Sequence, residues 1–261
     1  MLVLSSSRLP WCSVEWQGQR ETWARSLPPG LQVIWVQGQQ VSPARWELQR
    51  ATLRVRQAIR QDSRVGLWGP RRKKNHGVAF DAVTQTLHVD VPETLSWMGA
   101  RLLSALRFSL EATEFDFLLR TNSSTYVNAM QLAEWLNRRK SIPDYCGPLG
   151  MFRSMGRRVP YASGTGIGLS QTCVSEVVNA APSFDHGRVE DVALGLLMKR
   201  LGHPFVPVKR VDVDTCETVA NLSDSCLNET FLFRCKVPSD PLASVSIMKS
   251  LDKRINSTDT S

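Results

Sequence analysis

The sequence lacks several features that would point to a particular class of protein. It has no window of about 18 consecutive apolar residues, which argues against a membrane-spanning helix. Its six cysteines include no C-x-x-C pair, which argues against a zinc site. No zinc finger, recognition helix or aromatic-basic strand motif is found, so we expect no nucleic-acid partner. The 261 residues are enough for one α/β core.

The charge that is present is basic, with a net charge of +8. A basic protein favours anionic partners, and a phosphorylated small molecule is one of them. The basic cluster at residues 71–74 is interpreted first as a solvated loop and alternatively as an anion-binding loop. Residues 1–7 are too short and too uncharged for a signal peptide. We therefore expect a cytoplasmic protein, or one of the Golgi or endoplasmic reticulum lumen if an anchor is missing from this chain.

Apolar runs alternate with amphipathic segments over about 210 residues, which is typical of a layered α/β domain. The pattern predicts strands at residues 2–4, 31–36, 87–91, 115–119 and 204–208. It predicts helices at residues 15–25, 43–59, 92–110, 129–137 and 189–201, and another from about residue 170. Residues 65–82 are predicted to be an irregular loop. We place one domain at residues 1–211 and a C-terminal extension at residues 212–261, loosely ordered after Pro238.

Two polar segments are candidates for a functional site. The predicted strand 115–119 runs into residues 120–124 (RTNSS), at the end of a strand where α/β sheets bind ligands. A turn built from Asn and Ser is an equal alternative. Glu190 and Asp191 open a predicted helix, either as favourable charges at its N-terminus or with a carboxylate that acts as a general base.

A third candidate is the run Gly164, Gly166 and Gly168. Its spacing matches neither the dinucleotide fingerprint nor the Walker phosphate loop. These glycines therefore permit either a close approach of the backbone to a ligand or a tight turn before a helix.

Six segments, taken in chain order, form a further pattern: residues 19–23 (QRETW), 33–38 (VIWVQG), 89–96 (VDVPETLS), 117–128 (FLLRTNSSTYVN), 160–170 (PYASGTGIGLS) and 190–202 (EDVALGLLMKRLG). In this order and spacing they resemble the motifs of the beta-1,3-galactosyltransferase and Fringe-like glycosyltransferases. The resemblance covers about four-fifths of the chain, within the usual range for one domain.

The resemblance implies a GT-A type nucleotide-sugar-binding fold of class α/β, with a mixed, mostly parallel central sheet flanked by helices. It implies an inverting hexosyltransferase that moves a sugar from a nucleotide-diphosphate sugar to a hydroxyl of a carbohydrate acceptor. Asp191 would be the catalytic base. The residues that would bind the nucleotide sugar are Arg120, Thr121, Asn122, Ser123, Ser124, Gly164, Gly166 and Glu190.

The chain departs from the family pattern in two places. Residues 122–124 (NSS) stand where the family has an acidic triplet that holds Mn²⁺, and Met98 stands where a lysine is expected. Neutral oxygens bind Mg²⁺ or Mn²⁺ more weakly than carboxylates, so we assign no metal ligand and leave the cofactor undetermined. Transfer without a metal would rely on Arg120, on the cluster 71–74 and on backbone N–H groups. Carboxylates from Asp212 and Asp214 are a weaker alternative.

The same departures keep a second hypothesis open, in which a degenerate site binds a nucleotide or glycan without transferring sugar. A basic protein associated with nucleic acid is a third and more distant hypothesis.

Overall fold

The structure, a computed structural model, describes residues 1–40, 77–154, 157–237 and 239–258. The predicted helix 43–59 and the basic cluster 71–74 lie outside these residues. The described strands are β1 (Leu2–Leu4), β2 (Ile34–Gln39), β3 (Val78–Asp81), β4 (Thr86–Pro92), β5 (Phe117–Asn122), β6 (Thr125–Val127), β7 (Tyr145–Gly147), β8 (Leu149–Ser154), β9 (Arg157–Ala162), β10 (Ile167–Ser170), β11 (Val206–Pro207), β12 (Val211–Val213) and β13 (Leu232–Cys235).

The described helices surround these strands. They are α1 (Trp11–Ser13), α2 (Met98–Ala112), α3 (Ala129–Asn137), α4 (Gln171–Asn179), α5 (Glu190–Leu201), α6 (Cys216–Ala220), α7 (Asp224–Glu229) and α8 (Ala243–Thr258). A π-helical segment, Val14–Arg20, continues α1, and 3-10 turns lie at Leu95–Trp97 and Ala181–Ser183. Within the described ranges, no helix combines the length and the apolar character needed to cross a bilayer.

Eight strands form the central sheet, in the order β11-β7-β10-β5-β1-β2-β4-β3. The pairs β1–β2, β1–β5, β2–β4 and β7–β11 are parallel, and the other three pairs are antiparallel. A mixed, mostly parallel central sheet flanked by helices is therefore confirmed. The remaining described strands form two smaller sheets, β12-β13-β6 and β8-β9.

Both faces of the central sheet are buried, as the alternation of side chains along β1 illustrates. Leu2 and Leu4 pack in a core with apolar residues of α2, α4 and α5, while Val3 packs in a second core on the opposite face. Successive side chains of a strand point to opposite faces, so a strand with a core on each side is apolar at every position. This explains why LVL and FLL read as continuous apolar runs.

The chain reverses its direction of travel across the sheet at β1. It passes from β1 to β2 and β4 on one side, and α2 then carries it back to β5 on the other side of β1. Because β1, β2, β4 and β5 are parallel, their carboxyl ends share one edge of the sheet. Ligands of open α/β sheets bind in the crevice at such a reversal.

Several predicted elements are confirmed, with shifted ends. The helix predicted at residues 129–137 matches α3, which begins where the Asn128 side chain accepts a hydrogen bond from the Gln131 N–H. The strand predicted at residues 31–36 begins later, at Ile34, and the helix predicted at residues 15–25 begins earlier, at Trp11. The prediction of a loop up to residue 82 is wrong for β3, because Val78–Asp81 pairs with β4 along its whole length.

The segment after residue 211 is more regular than expected. Strand β13 lies between β12 and β6, and the tail predicted to be loosely ordered contains the 16-residue helix α8. Ile247 and Met248 of α8 are buried in the same core as Val3 and Trp35. The division at residue 211 stays a prediction, but the two segments share one core. Cys216, Cys226 and Cys235 are free thiols.

Candidate functional site

A cavity of about 410 Å³ opens at the carboxyl edge of the central sheet. Ser5 and Ser6 line it after β1, Glu93 and Thr94 after β4, and the turn 122–124 after β5. Apolar residues line it as well: Leu4, Leu9, Pro10, Trp11, Leu95 and Met98. A crevice at a chain reversal that is lined by both apolar and polar groups suits a ligand that carries a flat ring and charged groups.

The turn at residues 122–124 supplies polar groups to the cavity. The Asn122 Oδ1 accepts hydrogen bonds from the Ser124 N–H at 3.1 Å and from the Ser124 hydroxyl at 2.9 Å. The Asn122 Nδ2 donates to the Gly164 carbonyl at 3.0 Å. Asn122 therefore closes the turn through its own side chain, as Asn commonly does. It also ties the turn to the neighbouring glycine segment.

Gln19 fixes the same turn from the other face of the sheet. Its buried side-chain amide donates to the Asn122 carbonyl at 3.0 Å and to the Thr125 carbonyl at 2.8 Å. Removing a partner from buried carbonyls is costly, so this contact holds the backbone of the turn in one conformation. Sequence reasoning noted Gln19 as part of the segment 19–23 but assigned it no role.

A buried network connects the loops after β1 and β4. The Glu93 carboxylate accepts hydrogen bonds from the Ser7 N–H at 2.8 Å and from the Ser7 hydroxyl at 2.7 Å. Arg101 of α2 lies 3.6 Å from the same carboxylate and donates to the Ser5 carbonyl at 2.9 Å. Burial lowers the pKa of Arg101, and Glu93 opposes that change. Glu93 is thus committed to holding the loops that form the cavity.

Arg120 lies behind the turn and is not part of the cavity lining. Its guanidinium forms an ion pair with Glu190 and donates to the Gly164 carbonyl. Arg120 and Glu190 are only 1% and 2% exposed. Burial raises the pKa of Glu190, and Arg120 opposes that rise. Binding of the nucleotide sugar by Arg120 or Glu190 stays a prediction, and what the structure shows for both is a buried pair.

Asp191 lies beside this pair at the N-terminus of α5. Its Oδ2 accepts a hydrogen bond from the Gly164 N–H at 3.0 Å, and its Oδ1 accepts one from the Val192 N–H at 2.8 Å. The side chain is half-buried. One oxygen thus contacts the helix N-terminus, as expected if Asp191 is a favourable charge there. The other oxygen contacts the glycine segment. Each carboxylate oxygen has a second lone pair available for a further donor.

Gly164 has no room for a side chain, because polar groups surround it. A Cβ atom at this position would lie 2.7 Å from the Arg120 Nη1 and 3.3 Å from the Asp191 Oδ2. The carbonyl of Gly164 contacts Asn122 and Arg120, and its N–H contacts Asp191. Glycine is required here because three polar side chains converge on one backbone unit.

The other glycines of the run serve packing. A Cβ on Gly166 would lie 2.5 Å from the Leu232 Cδ1, and one on Gly168 would lie 2.4 Å from the Phe117 ring. Gly168 is part of β10, which precedes the helix α4 and pairs with β5 and β7. For these two positions the structure shows close approach to neighbouring residues of the protein.

The predicted site residues therefore form two groups that both contact Gly164. Asn122, Ser123 and Ser124 line the cavity, whereas Arg120, Glu190 and Asp191 do not. The Thr121 side chain is buried, and its hydroxyl has no hydrogen-bond partner among the described residues. Sequence reasoning missed three cations that line the cavity, Arg8, Arg101 and Lys236. Strand β13, which ends immediately before Lys236, is itself an element that the sequence pattern did not reveal.

The donor groups at the cavity differ from those of a metal site. Across the described ranges, no group of three or more His, Cys, Asp or Glu side chains could hold a metal ion. Asp212, an alternative source of carboxylate, instead forms ion pairs with Arg210 and Arg234. The Asp214 carboxylate accepts a hydrogen bond from the Thr218 hydroxyl at 3.0 Å.

Comparisons with known proteins gave matches in structure only. No protein-family model matches the chain, and no curated protein matches it in sequence. The galactosyltransferase LgtC, solved with donor and acceptor sugar analogues, is 10% identical, covers 97% of this chain and 96% of its own, and has a TM-score of 0.44. Mouse xyloside xylosyltransferase 1, in its apo form, is 8% identical, covers 92% and 98%, and has a TM-score of 0.37. Both TM-scores are below 0.5, so we use neither likeness as support for a function.

Proposed function

We propose that this chain is an inverting glycosyltransferase of GT-A type that takes a sugar from a nucleotide-diphosphate sugar and transfers it to a glycan hydroxyl. The observation that carries the proposal is the double contact at Gly164. Asn122 of the cavity turn binds its carbonyl, and Asp191, the candidate base, binds its N–H. One residue therefore separates a ligand cavity from a half-buried carboxylate, as a transfer reaction with a donor and a base requires.

The cavity is suited to the donor. Its apolar lining residues, which include Trp11 and Met98, can pack against a nucleobase. Its polar lining residues, Ser5, Ser6 and the turn 122–124, offer hydroxyl and amide groups for ribose and phosphate oxygens. Met98, which stands where the family has a lysine, is one of the apolar residues. The sugar would extend from the turn toward Gly164.

In the proposed reaction, the Asp191 carboxylate accepts the proton of an acceptor hydroxyl. The hydroxyl oxygen forms a bond to the anomeric carbon as the bond from that carbon to the diphosphate oxygen breaks, and the diphosphate keeps the electron pair. A single displacement inverts the configuration, so one carboxylate is sufficient. Glu190 is held by Arg120, which leaves Asp191 as the half-buried carboxylate of the pair.

The second candidate function is a module that binds a nucleotide or glycan without transfer. Both oxygens of Asp191 already accept a backbone N–H, and this favours a purely structural role for Asp191. The two functions share the cavity, and they differ in whether Asp191 accepts a proton.

Substitution of Asp191 by Asn tests the proposal. The Asn side-chain oxygen can still accept the Gly164 N–H, so we expect the turn and the nucleotide affinity to be preserved. Loss of the base should lower turnover by at least about 100-fold, as is typical of general bases. Calorimetry with UDP, GDP and their sugars measures the affinity, and product formation with glycan acceptors measures turnover.

Asp116→Asn is the matched control. Asp116 is exposed and precedes β5, at the opposite edge of the sheet from the cavity. We expect it to leave affinity and turnover unchanged. Full turnover by the Asp191 variant would disprove the base assignment. Nucleotide binding by the wild-type protein without any transfer would favour the second candidate, and no nucleotide binding would disprove both.

A further inference from the structure

The donor groups of the cavity turn do not fit a divalent metal ion. Asn122 supplies an amide oxygen that already accepts two hydrogen bonds from Ser124, and Ser123 supplies only a neutral hydroxyl. Mg²⁺ and Mn²⁺ sites normally include at least one carboxylate. Among the described residues, Glu93 is the one carboxylate that lines the cavity, and this group is held by Ser7 and Arg101. Another positive charge is needed to balance a diphosphate here.

Lys236 lines the same cavity and is placed there by strand pairing. In the antiparallel pair β13–β6, Phe233 is paired with Tyr126 and Arg234 with Thr125. The Cys235 N–H then donates to the Ser124 carbonyl at 2.8 Å, which continues the same register. The next pair in this register is Lys236 and Ser123. Ser123 stands where the family pattern has the middle acid of its triplet.

The Lys236 side chain is exposed toward the cavity. Within the described ranges its ammonium makes no hydrogen bond or ion pair. Partial burial, followed by the charge of Arg234, lowers the pKa of Lys236. A partly desolvated cation attracts an anion more strongly than a fully hydrated one, because less solvent screens the interaction.

Arg8 is the second cation of the cavity. It lies in the loop between β1 and α1, and its N–H donates to the Ser6 hydroxyl at 3.2 Å. A third cation, Arg101, is balanced by Glu93. Among the described residues of the lining, Lys236 is a cation that makes no hydrogen bond or ion pair, and Arg8 adds a second basic side chain. Arg and Lys are the residues that bind phosphate oxygens most strongly, through charge-assisted hydrogen bonds.

We propose that Lys236, assisted by Arg8, binds the diphosphate of the donor and stabilises it as a leaving group in place of a divalent metal ion. This inference rests on the proposed function. When the bond between the anomeric carbon and the diphosphate oxygen breaks, the electron pair remains on that oxygen, and the Lys236 ammonium donates a hydrogen bond to the diphosphate. Lys236 gives up no proton in this step, because the proton of the acceptor goes to Asp191.

Calorimetry of the full chain tests this role with three probes: inorganic pyrophosphate, UDP and uridine. Each is measured once in EDTA and once in Mn²⁺. We expect pyrophosphate and UDP to bind equally well in both buffers. Lys236→Ala should weaken both by at least about tenfold and leave uridine unchanged, because uridine carries no phosphate. Lys236→Arg should restore most of the affinity, since it keeps the charge.

Lys199→Ala is the matched control. Lys199 is an exposed lysine near the C-terminal end of α5, and it does not line the cavity. It removes the same charge from the protein and should not change any of the three affinities. Circular dichroism of each variant confirms that the fold is retained, as expected for an exposed side chain.

The possible outcomes separate this inference from the proposed function. Binding of UDP that needs Mn²⁺, or that is unchanged in Lys236→Ala, would overturn the role of Lys236 while leaving glycosyl transfer intact. Metal-independent binding that depends on Lys236, without any sugar transfer, would support the inference on the diphosphate and overturn the transfer reaction. Absence of binding by UDP, GDP and pyrophosphate in both buffers would overturn both.

Discussion

Similar charges are used differently on the inner side of the site and on its cavity side. On the inner side, Arg120 and Glu190 neutralise each other away from solvent. On the cavity side, Arg8 and Lys236 line an open volume. A buried cation whose donors are used by the protein maintains the structure, whereas Lys236, which has no partner among the described residues, is accessible to an anion. The type of residue does not distinguish these roles, but its surroundings do.

The largest effect should come from breaking the inner pair. Arg120→Met leaves the Glu190 carboxylate buried without a counter-ion, and we expect the free energy of unfolding to fall by about 3–5 kcal/mol. Urea denaturation measures it. The double variant Arg120→Met/Glu190→Gln should recover much of the loss, since no charge is then left buried. An equal loss in the single and double variants would show that the pair does not act as a unit.

The same variant should respond to pH. Burial raises the pKa of Glu190 above its usual 4.5, and removal of Arg120 takes away the largest opposing charge. The native state then binds more protons than the unfolded state, so stability falls as the pH rises above about 4.5. We therefore expect the deficit of Arg120→Met to be smaller in acid than at neutral pH. A loss of stability that is larger in acid than at neutral pH would contradict this prediction.

A smaller effect is expected from a change at the boundary between the two sides. Gly164→Ala places a methyl group 2.7 Å from the Arg120 Nη1, and we expect a loss of about 1–3 kcal/mol in stability, as for other overpacked sites. It should also lower turnover by displacing Asp191. Gly77→Ala is the matched control, because its new Cβ would meet its nearest neighbour at 3.8 Å. Equal melting temperatures for the two variants would disprove the close packing at Gly164.

A change on the cavity side should alter binding more than stability. Ser123→Asp places a carboxylate beside Lys236, and we expect UDP affinity in EDTA to fall about tenfold, or about 1.4 kcal/mol. Mn²⁺ should restore part of the affinity in this variant and have no effect on the wild type. Stability should change by less than about 0.5 kcal/mol, as for other surface substitutions. An unchanged affinity in EDTA would place the diphosphate elsewhere.

The smallest effect is expected at Thr121. Its buried hydroxyl has no hydrogen-bond partner among the described residues, so Thr121→Val removes a polar atom without breaking a hydrogen bond there. We expect stability to be unchanged or increased by up to about 1 kcal/mol. Thermal unfolding measures it, and a clear loss of stability would indicate that the hydroxyl has a partner. Unchanged UDP affinity in this variant would show that Thr121 does not take part in the binding proposed for its neighbour Asn122.

Local patterns made much of the central sheet predictable. The runs LVL, VIWV and FLL are apolar because both faces of β1, β2 and β5 are buried, and helix α3 has an Asn at its cap. Strand β10 was missed because Gly166, which precedes it, and Gly168, which is part of it, resemble a loop in sequence. Only the packing of Phe117 against Gly168 explains why the strand tolerates a glycine there.

The candidate site was predictable only in part, because it also depends on contacts between residues that are distant in sequence. Asp191 and the turn 122–124 occur in recognisable segments, and their meeting at Gly164 depends on contacts across 42 and 27 positions of the chain. Lys236 reaches the turn through a pairing between residues more than 100 positions apart. Periodicity within a short window contains no information about such pairings. The apolar run 231–233 was the one local sign of β13.

The position of β13 between β12 and β6 has a consequence for biosynthesis. The cavity combines side chains from residues 4–11 with Lys236, near the opposite end of the sequence. A growing chain on the ribosome can pair β1 and β2 early, but β6 has no neighbour in its small sheet until residue 235 has left the exit tunnel. The anion-binding cavity is therefore completed late in synthesis, and nascent chains that stop before this point would hold the turn 122–124 without its lysine.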